Sequence, residues 1–341
     1  TERKGVLFML KNQVFRRSEG GDTEMGGTLE VKKENTERNA VTAPDSMDGT
    51  VNRLPAELTE IPEKYYSSAS RQGTLVNLYY DTYESMSYSR KNKTLNKRAV
   101  VYLPYGCSEE EQYNVFYLMH GGWSDETAYL GVPGRESEFK NILDHGIQDG
   151  LIRPIIVVCP TYNNESESDS GDYSLALRLT ENYHNELVND LIPAVEGKYS
   201  TYADNVTLDG LKASRDHRAF AGFSMGSVAT WHTFQYSLDY FRYFFPESGS
   251  LTTDAGRMAD MVENAGHEWN DFFIYAASGT ADFAYSSFKR QIDNMIAEGA
   301  VFRFADNETE GNIYYLEKKG GEHNYEYANL YLYNGLCWLW K

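Results

Sequence analysis

The chain reads as a doubly wound α/β domain, a mostly parallel central sheet with helices on both faces, preceded by an N-terminal extension. Three observations predict it. From Thr74 onward, short apolar runs alternate with helical stretches. The central runs VFYLM (115–119) and IIVVC (155–159) are apolar at every position, as strands covered on both faces must be. Hydrophobic residues make up 41% and charged residues 24%, enough apolar material for a sizeable core.

Taken in order, residues 1–74 form an extension and linker of no assigned role, and residues 75–341 form the main domain. In the extension, Gly20-Gly21, Gly26-Gly27 and the charged stretch Glu30–Arg38 break up two strand-like segments, Val6–Phe15 and Thr28–Lys32. Ala43–Pro62 reads as a proline-punctuated linker. Strands are then expected at Leu75–Tyr80, Ala99–Leu103, Val115–Met119, Ile155–Cys159, Arg218–Gly222, Tyr243–Ser248, Phe272–Ala276 and Asn312–Glu317. Leu187, Val188, Leu191, Ile192 and Val195 recur at helical spacing, late in a segment that starts near Ser174. The acidic patch ESESDSGD (165–172) reads as a solvated loop, because it lacks the spaced ligand ladder of a calcium loop.

Charge and cysteine exclude several classes. With 32 basic against 50 acidic residues the net charge is −18, a field that repels phosphate backbones and anionic membranes. No apolar run reaches the roughly 18 residues that a membrane span needs. Cys107, Cys159 and Cys337 have no finger spacing, and Cys159 reads as a buried, inert thiol. Neither a H-E-x-x-H zinc motif nor a nucleotide-binding glycine loop occurs, so no metal or cofactor is expected. The 27 Tyr, 16 Phe and 5 Trp of this acidic chain suit contact with carbohydrate, and an extracellular location is expected.

The strongest chemical signal is Gly222-Phe223-Ser224-Met225-Gly226. A strand-like run precedes this G-x-S-x-G pentapeptide and a helical run, Ser227–Gln235, follows it, the context of a nucleophile elbow in the α/β-hydrolase fold. A serine hydroxyl attacks only when a base takes its proton. Of seven histidines, His145 and His184 fall in helical stretches, His232 lies on the helix after the elbow, and His217 and His267 stand at the wrong ends of strands. His323, in the glycine-led loop GGEHN after the last strand, is the expected base. Hydrolases of this fold order their residues Ser, Asp or Glu, His. Asp282, just past the strand Phe272–Ala276, is preferred to Asp254, Asp260, Asp306 and Glu308 as the acid. Two backbone amides must hold the oxyanion. Met225 is expected to give one, and the loop His120-Gly121-Gly122-Trp123 the other, from Gly122 or, as second choice, Trp123. His120 itself reads as a loop brace.

Together HGGW, GFSMG, ASGTAD and GGEHNYEY resemble carbohydrate esterase family one, most closely its feruloyl and acetyl-xylan esterases, over about residues 74–341. The resemblance implies a nucleophile at Ser224, an acid at Asp282 and a base at His323. It also implies an ester substrate on feruloylated or acetylated xylan, cleaved through an acyl-enzyme without a cofactor. Many relatives carry an aromatic, often Trp, a few positions after the histidine, where this chain has Tyr325 and Tyr327. Trp123, Tyr129, Tyr162, Trp269, Phe283 and Tyr285 are the candidate pocket walls. An aromatic slot favours a hydroxycinnamoyl group and a shallow one favours acetyl. A thioesterase or acyltransferase on the same fold remains open, since fold and triad fix the reaction type more tightly than the acceptor. A non-catalytic carbohydrate-binding protein would have a broken triad, and this one reads as intact.

Overall fold

The computed structural model describes residues 51–341, and the segments Val6–Phe15 and Thr28–Lys32 lie outside the described residues. The elements in order are β1 (Thr74–Tyr83), β2 (Thr94–Leu103), β3 (Asn114–Met119), a small hairpin of β4 (Gly131–Val132) and β5 (Arg135–Glu136), α1 (Glu138–Gln148), β6 (Ile155–Cys159), α2 (Tyr173–Asn182), α3 (His184–Glu186), α4 (Ile192–Glu196), α5 (Leu208–Ala213), β7 (Arg218–Phe223), α6 (Met225–Ser237), β8 (Tyr243–Glu247), α7 (Ala255–Asn264), β9 (Phe273–Gly279), α8 (Tyr285–Glu298), β10 (Ile313–Lys318) and α9 (Tyr325–Trp338).

Eight strands form one sheet in the order β1-β2-β6-β3-β7-β8-β9-β10. From β6 to β10 all neighbours are parallel, while β1 and β2 join antiparallel at one edge. Each apolar run is buried on both faces because successive side chains point to opposite sides. In β3, Tyr117 and Met119 enter the core beneath α2, α6, α7 and α8, while Phe116 and Leu118 enter the core beneath α1 and α9. Parallel strands place the carboxyl ends of β3, β6, β7, β9 and β10 on one rim, where open α/β sheets hold their ligands.

Two departures from the sequence reading have physical causes. The helix expected from Ser174 to Val195 is interrupted after α2 and passes through a π turn at Leu187–Leu191. Pro193, which has no amide hydrogen to give the preceding turn, follows that turn. Residues 51–73, expected as linker and extension, are packed on the domain. Leu54, Ile61 and Tyr65 are buried in the α1/α9 core. Asn52 Nδ2 donates to the Trp338 carbonyl at 2.7 Å, and Thr59 exchanges two hydrogen bonds with the Asn334 side chain. An extended, proline-punctuated strap has no periodicity of its own, so its sequence resembles a linker until its partner helix is known. The acidic loop is exposed at residues 165–168 and is organised from within: Asp169 Oδ2 accepts the amides of Asn164, Glu165 and Ser166 at 2.9–3.1 Å.

Candidate active site

Ser224 stands between β7 and α6 with φ 59° and ψ −118°, a conformation side chains rarely adopt. The turn is held from both sides. Its amide donates to the Glu247 carbonyl on the neighbouring strand at 2.9 Å, and its carbonyl accepts from Ser227 and Val228. A Cβ at Gly226 would collide with the Met119 carbonyl, so only glycine lets α6 start this close to β3. The hydroxyl is thereby left at the rim, at the amino end of a thirteen-residue helix.

His323 and Asp282 come from loops that approach each other closely. A Cβ at Gly279 would strike the Gly321 carbonyl, and Ala281 N–H donates to that same carbonyl at 2.9 Å. Thr280 N–H donates to the Lys318 carbonyl, also at 2.9 Å. Across this seam His323 Nδ1 lies 2.8 Å from both oxygens of Asp282, and His323 Nε2 lies 2.8 Å from Ser224 Oγ. A carboxylate only accepts, so Nδ1 carries the proton and Nε2 is the acceptor for the Ser224 hydroxyl. The Asp282 carboxylate is buried and also accepts the Ala284 amide at 2.7 Å, so its orientation is set from two directions. Phe223 and Phe283 flank the imidazole, with ring centroids 4.4 and 4.1 Å away.

The loop after β3 lies over the serine: a Cβ built on Gly121 would be 3.4 Å from Ser224 Cβ. Its amides divide by partner. Gly121 N–H donates to the Tyr325 hydroxyl at 3.0 Å and Trp123 N–H to the Ser170 carbonyl at 3.0 Å. The amides of Gly122 and Met225 have no acceptor among the described residues. Trp123, the second-choice donor, therefore has its amide committed elsewhere. Beneath the loop His120 holds the Gly121 carbonyl at 2.7 Å and Thr161 Oγ1 at 2.7 Å, and it stacks on Tyr162. Burial pushes the His120 pKa down to about 4, so the ring is neutral and braces the loop.

The six expected pocket walls separate into groups. Trp123 (75% exposed) and Phe283 (80% exposed) offer bare aromatic surface at the serine loop and on the imidazole. Tyr285 is half-buried at the start of α8, its hydroxyl donating to Glu317 at 3.1 Å. Tyr129 and Tyr162 are buried and line no open surface. Tyr129 packs edge-on to Tyr325, and Tyr162 donates to the Gly121 carbonyl at 3.0 Å. Trp269 precedes β9 and so stands at the opposite end of the sheet, under the Arg303 guanidinium at 4.2 Å. A strand's direction decides which end its flanking loops occupy, and Trp269 is on the amino side. Tyr325 is the contributor that the sequence reading did not assign. Its position two residues after His323 is visible in the sequence, but its role as acceptor for Gly121 needs the folded loop.

The Esterase family model matches residues 95–327. The chain belongs to this esterase family. It is a carboxylic ester hydrolase, and its fold is that of the α/β-hydrolases. The esterase is 36% identical over 281 residues to endo-1,4-beta-xylanase Y of Acetivibrio thermocellus, covering 81% of this chain and 24% of that protein. It thus spans about a quarter of the length of that relative. It is also similar to a serine-to-alanine variant of the feruloyl esterase module from Clostridium thermocellum complexed with sinapinate. There the TM-score is 0.72 at 33% identity, over 85% of this chain and 95% of that one. A CE1 ferulic acid esterase from Anaeromyces mucronatus shares the fold at TM-score 0.59 and 17% identity, over 81% and 94% of the two chains. Among the described residues no helix is long and apolar enough to cross a membrane.

Proposed function

We propose that the esterase is a feruloyl esterase that releases hydroxycinnamoyl groups from xylan. Ser224 is the nucleophile. His323 Nε2 takes its proton as the hydroxyl adds to the ester carbonyl, and Asp282 holds the imidazole in the required tautomer and stabilises its charged form. The oxyanion forms under the free amides of Gly122 and Met225. Collapse of the adduct expels the sugar alcohol, which leaves with the proton from His323. Water, deprotonated by the same imidazole, then hydrolyses the acyl-enzyme.

The observation that carries the acyl specificity is the pair of exposed rings, Phe283 on the His323 imidazole and Trp123 on the loop that lies over Ser224. Bare indole and phenyl faces stack on a planar, conjugated acid and gain little from a methyl group. The relatives' names support the same substrate: xylanase Y, and a feruloyl esterase module complexed with sinapinate. A polymeric plant substrate puts the site of action outside the cell. The test is a side-by-side rate comparison on feruloylated and acetylated xylo-oligosaccharides. The feruloyl ester is expected to give the higher kcat/KM by at least tenfold, and an equal or higher value for the acetyl ester would overturn the assignment.

A further inference from the structure

A cavity of about 390 Å³ opens on the same rim, between the antiparallel edge of the sheet and the acidic loop after β6. Tyr79, Asn96, Arg98, Glu126, Asn163 and Glu167 are among its walls. Strand pairing fixes its place. Val100 lies opposite Cys159, so residues 95–98 of β2 run out beyond the carboxyl end of β6, and Tyr79 of β1 lies opposite Arg98. In the order β2-β6-β3-β7, β2 is three strands from the one that ends at Ser224. At about 4.8 Å per strand β2 lies roughly 14 Å from β7, and neither Ser224, Trp123 nor Phe283 is among the cavity's walls, so it is separate from the acyl site.

Its chemistry is polar, nearly neutral and aromatic at once. Arg98 is joined to Glu126 at 2.7 Å, and Glu165 has an ion-pair partner in Lys93, so there is no surplus of cations for an anionic ligand. Tyr79 is 61% exposed, a large ring left open to solvent at the cavity wall. Asn96 reaches Asp81 with its amide group at 2.8 Å and keeps further donor and acceptor capacity. An open ring face beside planar amide and guanidinium groups is suited to a sugar, whose C–H face stacks and whose hydroxyls take paired hydrogen bonds. The walls are fixed before any ligand arrives. Asn163 donates to the carbonyls of Ser124 and Glu167 and accepts from Ser170, tying the acidic loop to the loop over Ser224.

The geometry points to a glycosyl subsite: this cavity holds the neutral xylan chain that carries the ester, several sugars from the scissile bond. The inference rests on the feruloyl esterase reading. Two esters separate the two. With Tyr79→Ala, KM on a feruloylated arabinoxylo-oligosaccharide should rise about tenfold, while both constants on methyl ferulate stay within twofold of the parent. Tyr79→Phe, which keeps the ring, should behave as the parent, and Asn96→Ala should raise only the oligosaccharide KM. An unchanged oligosaccharide KM in Tyr79→Ala overturns the subsite. Should the parent enzyme cleave neither ester, the functional reading is what has failed. The subsite is then judged by titration calorimetry with unesterified xylohexaose. Binding that Tyr79→Ala abolishes would sustain it, and no binding by the parent would overturn it.

Discussion

Ser224, His323 and Asp282 form one relay with two 2.8 Å links, and each substitution should break a different part of it. Ser224→Ala removes the bond-forming atom, so hydrolysis of methyl ferulate should vanish while the melting temperature stays within a degree or two. Asp282→Asn keeps the shape but places a donor against Nδ1, which favours the wrong tautomer. A kcat lower by on the order of 10⁴ is expected, the loss seen when the triad carboxylate is amidated in the serine proteases. Asp306, which stood as an alternative acid, is bound to Arg53 far along the sheet, and Asp306→Asn should leave turnover unchanged. His120 belongs to the same scale but to a different job. Its folded pKa of about 4 lies below the ordinary 6.5, so the unfolded chain takes up the extra proton between those values. The stability it contributes is complete above pH 6.5 and is lost as pH falls toward 4. The melting temperature of His120→Gln should therefore lie well below the parent's at pH 7 and converge on it near pH 4.5. Parallel curves would contradict a neutral, bracing imidazole.

Between residues and molecule stands the loop after β3, whose free Gly122 amide depends on how its neighbours are held. Gly121 N–H goes to Tyr325, Trp123 N–H to Ser170, and the Gly121 carbonyl to both His120 and Tyr162. Tyr325→Phe deletes the acceptor for Gly121, and an unsatisfied buried amide costs about 1–3 kcal/mol. The loop is expected to relax at the expense of the oxyanion site, lowering kcat about tenfold or more with little change in KM. An effect confined to KM would mean that Tyr325 shapes the acyl slot instead. This element also marks how far the sequence was legible. The elbow, the eight sheet strands and the three side chains that meet at the rim were readable because each has a local signature: a pentapeptide, an apolar run, a glycine-led loop. The bracing by Tyr325, Ser170 and Thr161 was not, because it joins residues up to 204 positions apart. Trp269 was misplaced for a related reason: aromaticity is visible in a sequence, but burial, which removed Tyr129 and Tyr162, and the end of the sheet to which a loop belongs are decided by the fold.

At the scale of the whole molecule the question is what holds the sheet and α9 in register so that the loops carrying Asp282 and His323 meet. The strap at residues 51–73 contributes from outside, through Leu54, Ile61 and Tyr65 against the α1/α9 core. Glu247 acts from inside. It ends β8, its carbonyl receives the Ser224 amide, and its side chain is fully buried with no hydrogen-bond donor to either oxygen among the described residues. Tyr129, Tyr275 and Tyr331 lie around it and no cation among the described residues faces it, so burial drives its pKa well above the usual carboxylate range. The folded protein therefore keeps a proton that the unfolded chain releases near pH 4.5. Between that pH and the raised folded value, stability falls as pH rises, by about 1.4 kcal/mol per unit from this one group. Glu247→Gln keeps the volume and removes the ionisation. Its melting temperature should match the parent's near pH 4.5 and exceed it by roughly two degrees or more for each further pH unit, until the folded pKa is reached. A constant offset across pH 4.5–9 would mean that the carboxyl is already ionised in the folded state. The elbow would then rest on a charge, and Ser224→Ala, which leaves Glu247 in place, should retain the parent's pH dependence of stability in either case.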